Sequence, residues 1–205
     1  MPRPQPTEAV FLNVPFDDAY RPLFEAMVFA VHDCGFRPRC ALEGSDGGHV
    51  RVQKIAVIIR ECALGIHDIS RTELDKQSKL PRFNMPFELG LFLGAKWFGD
   101  VSQHRKITLV LDRERYRYQQ FLSDISGQDI KSHRNQPATL IKVVRNWLRD
   151  TKPAHPMPSG GIIAARYRQF RKQLPAWCRE QQLEEHELQF NDYRFLIWRW
   201  LEANE

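Results

Sequence analysis

Short apolar runs alternate with amphipathic stretches along the first half of the chain. The run "AVFLNVP" (9 to 15) is brief, apolar and closed by a breaker, which predicts a buried strand. In "DDAYRPLFEAMVFAVHDCG", Leu23, Met27, Ala30 and Val31 share a stripe, acids open the segment and Gly35 closes it. That is the pattern of a capped amphipathic helix. "FRPRCAL" (36 to 42) predicts a second strand weakened by Pro38, and "EGSDGGH" a glycine-rich loop. "VRVQKIAVIIRECA" sets Val52, Ile55, Ile59 and Ala63 at helical spacing, and "LGIHDIS" (64 to 70) predicts a third strand. The polar "RTELDKQSKLPRF" is long for a connection and predicts a loop with a role at a site. It leads into the apolar helix of "NMPFELGLFLGAK" and then "KITLVLD" (106 to 112), the most strand-like run in the chain.

Beyond about residue 130 the pattern is helix only. "PATLIKVVRNWLRD" places Leu140, Val143, Val144 and Trp147 on one face, "TKPAHPMPSGG" is a Pro/Gly linker, and Pro175 predicts a kink or break in the next helix. "FNDYRFLIWRWLEA" ends the chain as an aromatic-rich helix expected to pack on its predecessors. The expected organisation is an α/β domain over residues 1 to 130 and a helical region over 131 to 205 packed on it. Alternating strands and helices imply right-handed βαβ units and a parallel sheet with its ligand at the carboxyl ends of the strands. Residues 13 to 18, 43 to 49, 68 to 71 and 112 to 116 should then share one rim. Four strands are visible, and a fifth is either near "RNQPATL" or missing.

Composition narrows the class. The 205 residues are 42% hydrophobic and 27% charged, as in a globular protein, and no apolar run reaches the roughly 20 residues of a membrane span. "MPRPQPTEAV" lacks the apolar core of a secretory signal, so a cytoplasmic location is expected. Residues 1 to 100 hold 12 Lys and Arg against 13 Asp and Glu, whereas 101 to 205 hold 18 against 12. The excess cations alternate with acids at helical spacing, which favours a solvated helix face over a nucleic-acid surface. Cys34, Cys40, Cys62 and Cys178 lack CxxC spacing and the seven histidines never pair at i, i+4, so neither a metal site nor a disulfide framework is expected.

Glu88 stands out because it interrupts the apolar run Phe87, Leu89, Leu91, Phe92. Asn84 as N-cap and Pro86 in the first turn would place this acid at the start of a helix, and Gly90 and Gly94 would let that helix approach the sheet closely. Exposed, Glu88 would complement the helix macrodipole; partly buried, it would become a base or nucleophile of adjustable pKa. Asp68 ends the third strand, where an acid can orient a ribose hydroxyl or cap its own turn. "FLNVPFDD" forms the first strand–helix loop, in which Phe16 either stacks on a base or anchors the loop. No GxGxxG, GxxxxGK[ST] or GxSxG is present, which argues against a dinucleotide fingerprint, a P-loop and a serine triad.

The strand "GIHDISR" followed by "RFNMPFELGLFLGAK" resembles the superfamily that joins nucleoside 2-deoxyribosyltransferases with TIR and TIR-like nucleotide-binding domains of bacteria. Members often read A-D-L-T, then N-V-x-[FY]-E-L-G, over this span. The resemblance extends over residues 9 to about 112, and its specific part is 64 to 96. It implies a flavodoxin-like fold, with Glu88 as the nucleophile or oxocarbenium-stabilising acid and Asp68 as a ribose or catalytic-group contact. It further implies a substrate-binding set of Asn13, Phe16, Asp17, Ser70, Arg71, Arg82, Asn84 and Met85. The chain departs from the group in Ile69-Ser70, in a longer loop before Asn84, and in its helical tail. The activity implied is N-glycosidic cleavage or ribosyl transfer on NAD, placed first, or on a nucleoside or nucleotide, with no resident cofactor and with homo-oligomeric assembly. A stand-alone TIR-like protein of this size is also similar to bacterial antiphage effectors, a likeness of context. A non-catalytic nucleotide- or signal-binding module and an assembly protein of the same fold remain alternatives.

Overall fold

Five strands form one parallel sheet in the order β2-β1-β3-β4-β5, the flavodoxin-like order. They are β1 (Ala9–Asn13), β2 (Arg37–Arg39), β3 (Leu64–Asp68), β4 (Ile107–Asp112) and β5 (Lys131–Ser132). The computed structural model describes residues 8–44, 48, 50–74, 79–81 and 83–204. Every residue of β1 and β3 is buried, because helices cover both faces of a parallel sheet and leave no polar side for alternation to mark. The fifth strand precedes "RNQPATL", whose first three residues form the turn and whose last four begin the next helix. Its two residues, one of them exposed, carry no apolar run that a periodicity search could find.

Side-chain alternation in the strands sorts the helices into two layers. Val10, Leu12, Leu64, Ile66, Leu109 and Leu111 face α1 (Arg21–Asp33) and α4 (Pro137–Thr151), against which α5 (Gly160–Glu180) and α6 (Phe190–Ala203) pack in turn, all within one core that runs from Val10 to Leu201. Ala9 and Phe11 face α2 (Arg51–Glu61) and α3 (Asn84–Phe98) through Ile55, Ile58, Ile59 and Phe92. The sheet and its core therefore continue past residue 130. Leu140, Ile141, Val144 and Leu148 of α4 pack in the same cluster as α1.

Three local expectations change. Phe83 rather than Asn84 stands at the N-cap of α3, since the N–H of Phe87 closes the first turn on the carbonyl of Phe83. Glu88 thus sits in the second turn and not the first. Helix α5 runs through Pro175 without a break, because the flanking Leu174 and Cys178 are both buried and their packing offsets the roughly 3 kcal/mol that an interior proline costs. Gly90 and Gly94 do not mediate approach to the sheet, since a Cβ at either position would meet no atom within 4 Å. Close approach is instead served by Gly65 of β3, where a Cβ would lie 2.7 Å from the Phe92 ring.

Lys106 joins the two layers of sequence around this face. Its buried Nζ donates to the carbonyls of Ile59 (2.5 Å) and Cys62 (2.6 Å) at the end of α2 and lies 4.6 Å above the Phe92 ring. A cation at a helix C-terminus satisfies carbonyls that the helix itself leaves unpaired. Among the described residues, no helix is long and apolar enough to cross a membrane.

Candidate functional site

The carboxyl ends of β1 and β3 direct consecutive side chains to opposite faces of the sheet. Asn13, last in β1, donates from Nδ2 to the carbonyl of Met85 (2.9 Å) and approaches His67 Nδ1 at 3.0 Å. This fixes the start of α3 against the rim. His67 is fully buried between the rings of Phe11 and Phe92, and burial, then the Lys106 charge, lowers its pKa to about 3. A neutral imidazole whose Nδ1 accepts from Asn13 is the form that fits. Among the described residues Asn13 Oδ1 has no hydrogen-bond partner.

Glu88 lies one turn further along α3 and is only 5% exposed. Among the described residues, no hydrogen-bond or ion-pair partner reaches its carboxylate. Burial raises its pKa above the ordinary glutamate value, and the positive charge of Arg51 opposes this without cancelling it. A desolvated carboxylate with free lone pairs is a stronger base and nucleophile than a solvated one.

Asp68 points to the other face and is tied on three sides. Tyr20 Oη donates to Oδ2 (2.5 Å), the Ser70 N–H donates to Oδ1 (2.9 Å), and His133 Nε2 stands 3.0 Å from Oδ2, off the line of a well-formed hydrogen bond. The Asn135 N–H donates to His133 Nδ1 (3.0 Å), which leaves the ring proton of a neutral His133 on Nε2, facing Asp68. Burial would raise the Asp68 pKa, but His133, Ser70 and Tyr20 together hold it below the ordinary aspartate value. Tyr20 is driven in the opposite direction, first by burial and then by the Asp68 charge. Asp68 and its partners Tyr20 and His133 are almost wholly inaccessible, so this cluster is an internal anchor at the rim.

A second clamp holds the loop that leads to α3. Arg117 donates to Asp112 Oδ1 from Nε (3.0 Å) and Nη2 (2.6 Å), and reaches Thr72 Oγ1 (2.7 Å) and the Ser70 carbonyl (2.8 Å). Burial still leaves Asp112 with a raised pKa, since Arg117 offsets only part of it. Arg71 donates to Asp17 Oδ1 (2.8 Å), which also accepts the Tyr20 N–H (2.9 Å) and so joins the loops after β1 and β3.

The rim thus gathers Asn13, Asp17, Asp68, Ser70, Arg71 and Met85 through direct contacts. Ser70 contributes its backbone and Met85 its carbonyl, while Asn84 is exposed. Phe16 packs edge-on against Phe24 (5.4 Å between centroids) and, with Asp17, lines a cavity of about 200 Å³ closed by Phe190 and Tyr193. Glu88 is not among that cavity's lining residues. Arg82 lies outside the described residues, as do 45–47 and 49 of the expected rim loop.

Tyr20, Arg117 and His133 complete the rim without having been read from the sequence. Tyr20 carried a weak signal, three residues after Asp17 at the start of a helix. His133 carried none, because it follows a two-residue strand in a polar stretch. Among the described residues no three His, Cys, Asp or Glu side chains converge as metal ligands. The sequence matches no protein-family model and no curated protein.

Proposed function

We propose that the chain is an N-glycosidase that cleaves the C1′–N bond of a nucleotide with a cationic leaving group, as in NAD, with Glu88 facing the anomeric carbon. The observation that carries this reading is the Glu88 carboxylate: buried, unpartnered among the described residues, raised in pKa, and held on a helix that Asn13 pins to the carboxyl rim. Cleavage passes through an oxocarbenium-like state, which a fixed carboxylate stabilises or traps. A neutral leaving base would also need a proton. Asp68, held ionised and closed off by Tyr20 and His133, is a poor donor, which favours nicotinamide over an ordinary purine or pyrimidine.

Incubating the protein with NAD and with nucleosides while following free base by chromatography tests the reading. Wild type should release nicotinamide and Glu88→Gln should not. Release at equal rates from both proteins would remove Glu88 from the chemistry. A non-catalytic nucleotide-binding module is the second reading, favoured by the aromatic cavity at Phe16, which excludes Glu88. It predicts calorimetric nucleotide binding that survives Glu88→Gln and is lost in Phe16→Ala.

A further inference from the structure

Helix α3 is apolar on the side that faces away from the sheet as well as on the side that packs against it. Its outward positions 87, 90, 94 and 97 keep the 3-4-3 interval of a helix seam, with Phe83 at the N-cap and Val101 beyond the extended C-cap Gly99. The four seam positions read Phe, Gly, Gly, Trp. Exposure is 68% at Phe83, 56% at Phe87, 57% at Trp97 and 74% at Val101, and the adjoining Phe98 is 86% exposed. Patches of this size on a globular protein mark interaction sites.

The two glycines are the second observation. A glycine inside a helix is unfavourable relative to alanine, and nothing within 4 Å would obstruct a Cβ at Gly90 or Gly94. Nothing among the described residues makes use of their missing side chains.

We propose that this face of α3 is a two-fold, antiparallel interface with a second copy of the same chain. A two-fold axis beside residue 92 sets Gly90 opposite Gly94 of the second copy and Phe87 opposite Trp97. The seam order large, small, small, large reads the same in both directions, so pairing i with j and j with i seats small on small at the centre and aromatic on aromatic at each end. The glycines bring the helix axes close at the centre, and the flanking aromatics close over the ends. Taking about 200 Å² for a whole aromatic side chain, the five side chains expose roughly 650 Å². Doubled by symmetry this is about 1,300 Å², within the range of a specific interface. The inference is independent of whether Glu88 is a catalyst, because it is read from mass and from cross-linking.

Sedimentation equilibrium should show wild type as a dimer of the 24.1 kDa chain. Gly90→Glu should be monomeric with an unchanged circular-dichroism spectrum, since its Cβ enters open space in the single chain. Register is tested separately. Phe87→Cys and Trp97→Cys chains, mixed and oxidised, should form a disulfide-linked pair, while Phe87→Cys alone should not, because its own copies lie roughly 15 Å apart along the helix at 1.5 Å per residue. The four native cysteines are buried and leave the background low. A wild-type monomer at all concentrations, a dimer that survives Gly90→Glu, or Phe87→Cys linking to itself as readily as to Trp97→Cys would each overturn the proposal.

Discussion

Replacing Asp68 by Asn tests whether the rim depends on a buried anion. The amide has the shape of the carboxylate but offers only one oxygen. If that oxygen keeps the Ser70 N–H, the amide NH₂ faces Tyr20 Oη and His133 Nε2, and the flipped amide moves the clash to Ser70. Tyr20 can turn its hydroxyl, but its proton then has no acceptor. His133 cannot escape by exchanging tautomers, because Nδ1 is already committed to the Asn135 N–H. Whichever way the amide turns, one buried donor loses a charged acceptor at about 1–3 kcal/mol and His133 Nε2 loses the carboxylate charge it faces, so a loss of about 3 kcal/mol is expected. For a chain of this length that lowers Tm by roughly 6–12 °C. Urea titration should show a lower midpoint at unchanged slope. The pH dependence has a definite sign. The Asp68 pKa is depressed in the folded protein, so its contribution is complete above the unfolded value near 3.9 and is lost as pH falls through the folded value. The gap between wild type and variant should therefore narrow in acid. A gap under about 1 kcal/mol at neutral pH, the size of an average substitution, would refute the anchoring role.

Three further substitutions probe the opposite face. Lys106→Met removes the cation that holds the Ile59 and Cys62 carbonyls, with an expected loss of about 2–3 kcal/mol and faster hydrogen exchange in the last turn of α2; unchanged exchange there would contradict the capping role. Gly65→Ala forces a Cβ to 2.7 Å from Phe92 and 2.8 Å from His67 Nε2, and should cost about 1–3 kcal/mol in thermal or urea unfolding. Glu88→Gln should leave the fold as stable as wild type or more so, by on the order of 1 kcal/mol near neutral pH, since it removes a buried charge that has no ion-pair partner among the described residues. The folded Glu88 pKa is raised, so wild-type stability should decline as pH rises through the interval between the unfolded and folded values, and the Gln variant should lack that decline.

These substitutions also separate what a local pattern could reveal from what it could not. Four strands were legible because β1, β3 and β4 are short apolar runs, the first closed by Pro15, and β2 sits between a helix stop and a glycine-rich loop. The fifth was not, since a pair of residues at a sheet edge needs no apolar signature. Glu88 was legible as a conflict between one acid and its apolar neighbours, and Asp68 as an acid at a strand end. The direction in which Asp68 points, and what it holds, depended on Tyr20, 48 residues before it, and His133, 65 residues after it, which no spacing rule connects.

The contrast is clearest within α3. The alternation of apolar runs with helical stripes was enough to specify a parallel α/β sheet with its rim at the carboxyl ends, because burial on two faces imposes those patterns locally. Which residue capped the helix, which turn received Glu88, and whether Gly90 and Gly94 faced the sheet or the outside were settled by how α3 docks. That docking depends on Asn13 reaching the Met85 carbonyl and on Gly65 admitting the Phe92 ring, contacts between segments that the chain brings together only when folded.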